Sequence, residues 1–447
     1  MSDAVDWAVG SDPTFAARRA ALSVSTWQPS RSPAAIARPR SAAEVVTAVT
    51  YARDHGLQLA VRSGGHSLSA THLGEGAVTI DLRRLDRLKV DHARGTAWIE
   101  PGVTVAQAAR ELDRAGMAFP IGHAPTVGLG GYLLAGGNGW NTPQWGHACE
   151  RVLAADVVLP DGERRVVDLE RHSEIWRAVR GAGPVFPGVV VRFQVALEPG
   201  AAHVRRAFAT LEATEPTALG AAIDDLLSEL PTPVETTVFW RPATRRRPRA
   251  EATIALTAFD SAVPVAATLE QRGWPTTGTA RMSLADVVDG LPRHQGDALA
   301  SDHVWTDAPF AALLPRLSQH EDALTERSSI LLTTSSRRAD GGVPDHALYR
   351  PTGSTSVSPY AHWDPRTQDR RPQVEWTRRT TAALADLTTG HYVGEADLTN
   401  RPDAVGRCFP PEIRQDLAAI LERYDPHERM AWTALARAQL LSPPART

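Results

Sequence analysis

Arg62-Ser63-Gly64-Gly65-His66-Ser67 follows directly on a short apolar run, residues 57–61, and its reading decides how the chain is understood. A strand that ends in consecutive glycines turns sharply, because glycine reaches positive φ without steric cost. The amides freed in such a turn form a concavity that suits an anion. A second cluster lies downstream: Gly122-His123-Ala124-Pro125-Thr126-Val127-Gly128-Leu129-Gly130-Gly131, continuing through Tyr132 to Gly136-Gly137-Asn138-Gly139. Gly128 and Gly130 match the first two glycines of a Rossmann fingerprint, but the third position is Leu133 and no tidy βαβ unit surrounds it. A nicotinamide-binding domain is therefore not expected. Taken singly, either cluster reads as ordinary turns. A chain of net charge -3, however, has few ways other than backbone amides to hold a pyrophosphate.

The flanks read as an α+β unit. Ser41-Ala42-Ala43-Glu44 is a capping box, Val45, Val46, Val49 and Ala52 space as one helical face, and Gly56 suits the left-handed position after the helix. Strands are expected at residues 57–62, 77–82, 88–90 and 96–100. Thr104 to Gln107 repeats the capping-box pattern for a helix stopping at Gly116. Residues 152–159 and 164–167 flank Pro160-Asp161-Gly162-Glu163 as a hairpin. Ser173 is expected to cap a helix through Val179, and residues 188–197 read as a buried strand. Beyond Gly200, residues 218–230 and 309–330 read as helices and 235–240 and 251–259 as strands. Residues 341–371, rich in Gly, Pro, Ser and Thr, read as loop, and Pro410-Pro411 introduces a helix over 412–424. A sheet covered by helices is expected here, without a derivable strand order.

Together the motifs carry a resemblance. Arg62-Ser-Gly-Gly-His66-Ser67, Pro125-Thr-Val-Gly-Leu-Gly-Gly131, Gly136-Gly-Asn-Gly139, Ala154 to Gly162 and Gly188-Val-Val-Val191 occur in the order of the FAD-binding domain of vanillyl-alcohol-oxidase-type (PCMH-type) flavoproteins. More narrowly, the chain resembles the berberine-bridge-enzyme-like FAD-linked oxidases. The resemblance covers about a third of the chain. It implies an α+β fold: an N-terminal segment 1–30, a two-part FAD-binding domain 31–200, an α+β substrate domain 201–390, and a segment 391–447 returning to the FAD domain. It also implies FAD contacts from Arg62, Ser63, Gly64, Gly65, His66, Ser67, Gly122, Thr126, Val127, Gly128, Gly130, Gly131, Gly136, Gly137, Gly139, Glu150, Val152, Gly188 and Val190.

By the same resemblance, His66 carries the flavin 8α-methyl covalently. The chemistry is reasonable, since an imidazole near its usual pKa of about 6.5 is largely neutral and nucleophilic at cellular pH. The alternative is a loop histidine that only hydrogen-bonds a phosphate. Where many relatives attach flavin a second time through cysteine, this chain has Ala124, so a single linkage is expected. Other departures are Tyr132 after the glycine pair and Gly146-His147-Ala148-Cys149-Glu150-Arg151-Val152 downstream. His391-Tyr392-Val393-Gly394-Glu395 resembles the family's Tyr-x-Asn-Tyr segment, making Tyr392 and Glu395 candidate catalytic groups. Residues three apart share a face only in a helical turn, so joint action would require one there. Both also have the plain reading of packing residues.

Composition limits the rest. With 447 residues, 43% hydrophobic and 22% charged, the chain suits two ordinary cores. Near-neutral charge gives no case for nucleic acid or membrane as partner, and the Arg245-Arg246-Arg247 run reads as a solvated loop. Cys149 and Cys408 cannot form a disulfide framework, no metal-ligand spacing is present, and the start of the chain lacks a targeting pattern. A cytoplasmic protein is expected. Lys89, the one lysine, sits in a charged strand-like stretch unsuited to Schiff-base chemistry. Trp140 and Trp145 beside the glycines, and Trp240, Trp305, Trp363 and Trp376 later, supply either an aromatic pocket or core packing. The expected function is an oxidase acting on a small organic substrate with O2 as acceptor, with a homodimer left open. The alternatives are a flavin-dependent isomerase, cyclase or oxygenase without net dehydrogenation, or a redox-silent binding protein.

Overall fold

The computed structural model describes residues 5–200, 203–231, 234–260, 262–278, 280–292, 296–319, 321–334 and 346–441. Its first part joins two sheets. Val78–Asp81 lies between Ala35–Arg38 and Leu59–Arg62, parallel to both, and Asp6–Val9 adds an antiparallel edge. Helix Ala42–Asp54 covers this sheet with Val45, Ala48, Val49 and Ala52 buried against Ala35, Ala37, Val78 and Ile80. Ser41 Oγ accepts from the Glu44 amide at 3.2 Å, and Gly56 takes φ +64°. The Glu44 carboxylate reaches one residue further back than the expected box, to the Arg40 amide at 2.9 Å.

The second sheet is antiparallel, in the order Leu88–Asp91, Thr96–Ile99, Val189–Ala196, Val152–Val158, Arg164–Asp168. Helices Val105–Arg114 and Ser173–Val179 contribute buried faces to its core. The Ser173 expectation is off by one: His172, at φ +54°, is the N-cap and Ser173 is already helical.

The remaining chain builds a ten-stranded sheet whose recorded pairings are all antiparallel. Its middle is His203–Glu212, Glu251–Phe259, Glu235–Arg241, Ser329–Thr333 and Thr355–Trp363. Helices Pro216–Glu229, Phe310–Arg316 and Arg370–Ala382 belong to this part, and Trp240, Trp363 and Trp376 lie in its core.

Two expectations fail here. Residues 309–330 do not form one helix: Phe310–Arg316 ends just after the internal Pro315, and Ser329 opens a strand with Ile330 and Leu332 buried. Within 341–371, Thr355–Trp363 is an inner strand rather than loop, and residues 341–345 fall outside the described residues. The proline in that strand is tolerated for a visible reason. Val304–Thr306 pairs with residues 355–357 and Ala298–Ser301 with 360–363, so Pro359 falls in the gap between two partners and its missing N–H interrupts no ladder there.

The C-terminal chain, after helix Pro411–Tyr424, returns to the first sheet. The Leu59 amide donates to Arg429 O at 2.7 Å, and Ala431 donates to Leu59 O at 2.9 Å.

Candidate active site

The strand Leu59–Arg62 delivers the first glycine cluster, and Arg62 braces it from below. Its guanidinium donates to Leu22 O at 3.1 Å, to Gly64 O at 3.0 Å and to the fully buried Asp81 carboxylate at 3.2 Å. Burial lowers the Arg62 pKa to about 10, with Asp81 opposing the shift. Gly65 turns the chain at φ +75°. Ser63 Oγ donates to Pro101 O at 2.6 Å.

Gly64 lies back to back with Gly128. A Cβ on Gly64 would stand 2.2 Å from Gly128 N, and one on Gly128 would stand 2.4 Å from Ser63 Oγ. The two clusters identified in the sequence are thus one object, with backbone packed on backbone. At Gly131, by contrast, a Cβ would meet nothing within 4 Å, because that position faces a cavity. Leu129 and Gly130 amides donate to Val103 O and Pro101 O, whereas Gly131 occupies the third position of helix Leu129–Leu134, where the helix supplies no acceptor.

The cavity has a volume of about 810 Å³. Arg62, Ser63, Gly64, Gly65, His66, Ser67, Gly122, Val127, Gly128, Gly130, Gly131, Gly188 and Val190 line it, together with Tyr392 and Glu395. Thr126 stands just behind, with its Oγ1 at 2.9 Å from His66 Nε2. Ala124 lines the cavity, while both cysteines are buried away from it, Cys149 with its thiol pushed up to about 12 by burial.

Gly136, Gly137, Gly139, Glu150 and Val152 do not line the cavity. Gly136 carries the ring of Tyr349, whose hydroxyl donates to Asn138 at 2.6 Å. Gly137 and Gly139 make room for Tyr132, which donates to Pro120 O at 2.6 Å. Glu150 accepts from the His147 amide at 2.9 Å, and Val152 begins a strand. Arg151 ion-pairs with Glu198 and donates to Trp145 O, giving that departure a bracing role.

The opposite wall is one face of the ten-stranded sheet. Alternate residues Thr237, Phe239 and Arg241, then Ser329, Leu331 and Thr333, then Ser356, Ser358, Tyr360 and His362 face the cavity. Trp140, offered by the sequence as either pocket wall or core, lines the cavity, whereas Arg206 and Tyr360 were not singled out from the sequence. The signal for Arg206 and Tyr360 was the period-two alternation of strands His203–Glu212 and Thr355–Trp363, which carry polar residues on the cavity side.

Tyr392 and Glu395 meet because residues 392–396 make a helical turn, with Glu395 and Ala396 amides donating to Tyr392 O at 3.1 and 2.9 Å. Burial raises the Tyr392 pKa, opposed by the Gly137 and Asn138 amides that face its hydroxyl. Burial also raises that of Glu395, while Ser358, donating at 2.6 Å, and Tyr360 favour the carboxylate. His72, also on the wall, is held down to about 3 by burial and nearby arginines, so it stays neutral. Among the described residues no His, Cys, Asp or Glu cluster could hold a metal ion, and no helix is long and apolar enough to cross a membrane.

A glycine cradle without side chains, leading past an imidazole to a polar sheet face, fits an extended dinucleotide whose diphosphate rests on amides and whose ring meets His66. That arrangement is what an FAD-binding domain requires.

Comparison with known proteins narrows it. Residues 33–168 match the family of FAD binding domains. An FAD-linked oxidoreductase of Penicillium janthinellum is 37% identical over 179 residues, 40% of each chain, so the match spans about two fifths of that curated relative. The (R)-6-hydroxynicotine oxidase of Paenarthrobacter nicotinovorans is 28% identical over 416 residues, 89% of each. The structure of berberine bridge enzyme from Eschscholzia californica superposes with a TM-score of 0.80 at 19% identity, covering 98% of this chain and 96% of that one. Residues 33–168 are thus an FAD-binding domain, and the chain as a whole has the fold of berberine bridge enzyme and is similar to FAD-linked oxidoreductases.

Proposed function

We propose that this chain is an FAD-dependent oxidase that holds its flavin through a single covalent bond to His66 and oxidises a small organic substrate against the polar sheet wall. The observation that carries the reading is the continuity of one cavity from the Gly64–Gly128 cradle, past His66, to Tyr392 and Glu395. When bound, FAD supplies the acceptor for a hydride from a substrate C–H bond and passes the electrons to O2.

The chain's own residues do the rest. Thr126 fixes the plane of the His66 imidazole through its Nε2. Ala124 at the cysteine position supports one linkage rather than two. Tyr392, with its pKa raised, remains a neutral phenol and orients substrate by hydrogen bonding. Glu395 is the better proton acceptor, because a buried carboxylate with a raised pKa is a stronger base than an exposed one. Phe239, Leu331 and Trp140 offer apolar surface, and Ser356 and Ser358 offer hydroxyls, which together suit a small amine, alcohol, sugar or natural-product intermediate. The similarity to an oxidase named for hydroxynicotine supports trying amines first among these.

The test is aerobic turnover on a panel of amines and alcohols. One peroxide released per substrate oxidised is expected. Product of unchanged mass formed without peroxide would overturn the oxidase reading in favour of an isomerase or cyclase.

A further inference from the structure

Behind the turn that carries Tyr392, on the side away from the main cavity, lies a second cavity of about 320 Å³ that the reading above does not use. Four arginines line it: Arg378 and Arg379 from helix Arg370–Ala382, and Arg401 and Arg407 from the C-terminal chain. Two are already compensated, Arg401 by the buried Asp302 at 2.5 Å and Arg379 by Glu321 at 2.9 Å. Arg378 and Arg407 make no ion pair among the described residues. Their guanidiniums leave the cavity with uncompensated positive charge, against the single lining carboxylate of Glu375.

The floor holds a second, independent sign of a ligand. His391 is 3% exposed, and its Nδ1 lies 2.6 Å from His303 O. A carbonyl can only accept, so Nδ1 carries the proton and Nε2 is a bare acceptor. That Nε2 is buried and has no hydrogen-bond partner among the described residues. Burial holds the imidazole down, to about 4, which keeps Nε2 unprotonated at neutral pH. A buried acceptor left without a donor costs about 1–3 kcal/mol unless something fills the role.

We infer that this cavity binds a small phosphate-bearing ligand, whose anionic oxygens meet Arg378 and Arg407 and whose hydroxyl donates to His391 Nε2. Hydrogen phosphate has both features; sulfate has the charge but no hydroxyl. Guanidinium forks match such oxyanions with paired donors. The inference does not depend on the oxidase reading, since it is tested by binding rather than turnover.

The experiment is calorimetric titration of the flavin-loaded protein, freed of phosphate, with inorganic phosphate, sulfate and glycerol phosphate in turn. Saturable phosphate binding at one site is expected, with sulfate at least about tenfold weaker, the loss of one hydrogen bond to a buried group. Glycerol phosphate binding more tightly than phosphate would support a phosphomonoester as the ligand, and weaker binding would support free phosphate. Arg378→Ala combined with Arg407→Ala should weaken phosphate at least about tenfold while leaving the thermal midpoint unchanged. His391→Phe should abolish the preference for phosphate over sulfate. Equal affinity for sulfate and phosphate in wild type, phosphate binding indifferent to the arginine pair, or no saturable phosphate binding at all would overturn the inference.

Discussion

The glycines of the cradle give its sharpest test, because the same substitution has different consequences at Gly64 and at Gly131. Gly64→Ala brings a Cβ to 2.2 Å from Gly128 N and 3.0 Å from its Cα, where ordinary contact begins at 3.4 Å. The atoms struck are backbone, so no side chain can swing away, and the loops must part by about 1 Å, an overpacking cost of about 1–3 kcal/mol. Gly64 has no positive φ, so this penalty is purely steric. Gly131→Ala meets nothing within 4 Å and should leave the fold untouched, but its methyl group enters the space read as the diphosphate seat. The assay measures thermal midpoint and flavin absorbance on both variants. Gly64→Ala should lower both, and Gly131→Ala should lower flavin content alone. A Gly64→Ala protein as stable and as yellow as wild type would refute the contact, and a fully loaded Gly131→Ala protein would refute the cradle.

Other substitutions separate the roles assigned above. Glu395→Gln should keep its flavin yet lose about 10²- to 10⁴-fold in kcat/KM, together with the acidic limb of the pH profile; unchanged kcat/KM would remove Glu395 from the chemistry. Asp81→Asn strands the buried Arg62 and should cost about 3–5 kcal/mol, read as a fall in thermal midpoint; no fall would mean the ion pair is dispensable. Glu235 is buried beside Arg206 with its pKa raised by burial to about 8. The unfolded carboxyl ionises first, so this residue costs stability increasingly as pH climbs from 4.5 towards 8, by a few kcal/mol at most. Glu235→Gln should therefore raise the thermal midpoint more at pH 8 than at pH 5, and the reverse trend would contradict the assignment.

The part that matches an FAD-binding domain was legible because its signals are local. Ser41, Thr104, Gly56 and Gly162 each announce a cap or turn from side-chain chemistry alone. The glycine clusters could be named but not joined: their contact spans residues 64 and 128, and no local rule reveals it. The chain beyond Gly200 was harder for a physical reason. Its sheet turns one face to the cavity, and that face carries Ser356, Ser358, Tyr360 and His362 in a strand interrupted by Pro359, so a buried strand resembles a loop in composition. Helix periodicity over 309–330 likewise came from apolar residues that serve first a short helix and then a strand. Of the candidate site, the residues carried by backbone pattern line the cavity, whereas Gly136, Gly137 and Gly139 serve the packing of Tyr349 and Tyr132. The turn that unites Tyr392 with Glu395 could be stated only as a condition.

Whether a flavin is fastened to His66 is the point on which the account turns most directly, and intact-mass measurement of the denatured protein decides it. The account expects wild type to carry one FAD less two hydrogens after denaturation, the added mass mapping to the peptide with His66, and His66→Ala to show the bare polypeptide mass. A yellow native protein whose denatured chain has the bare mass would contradict it.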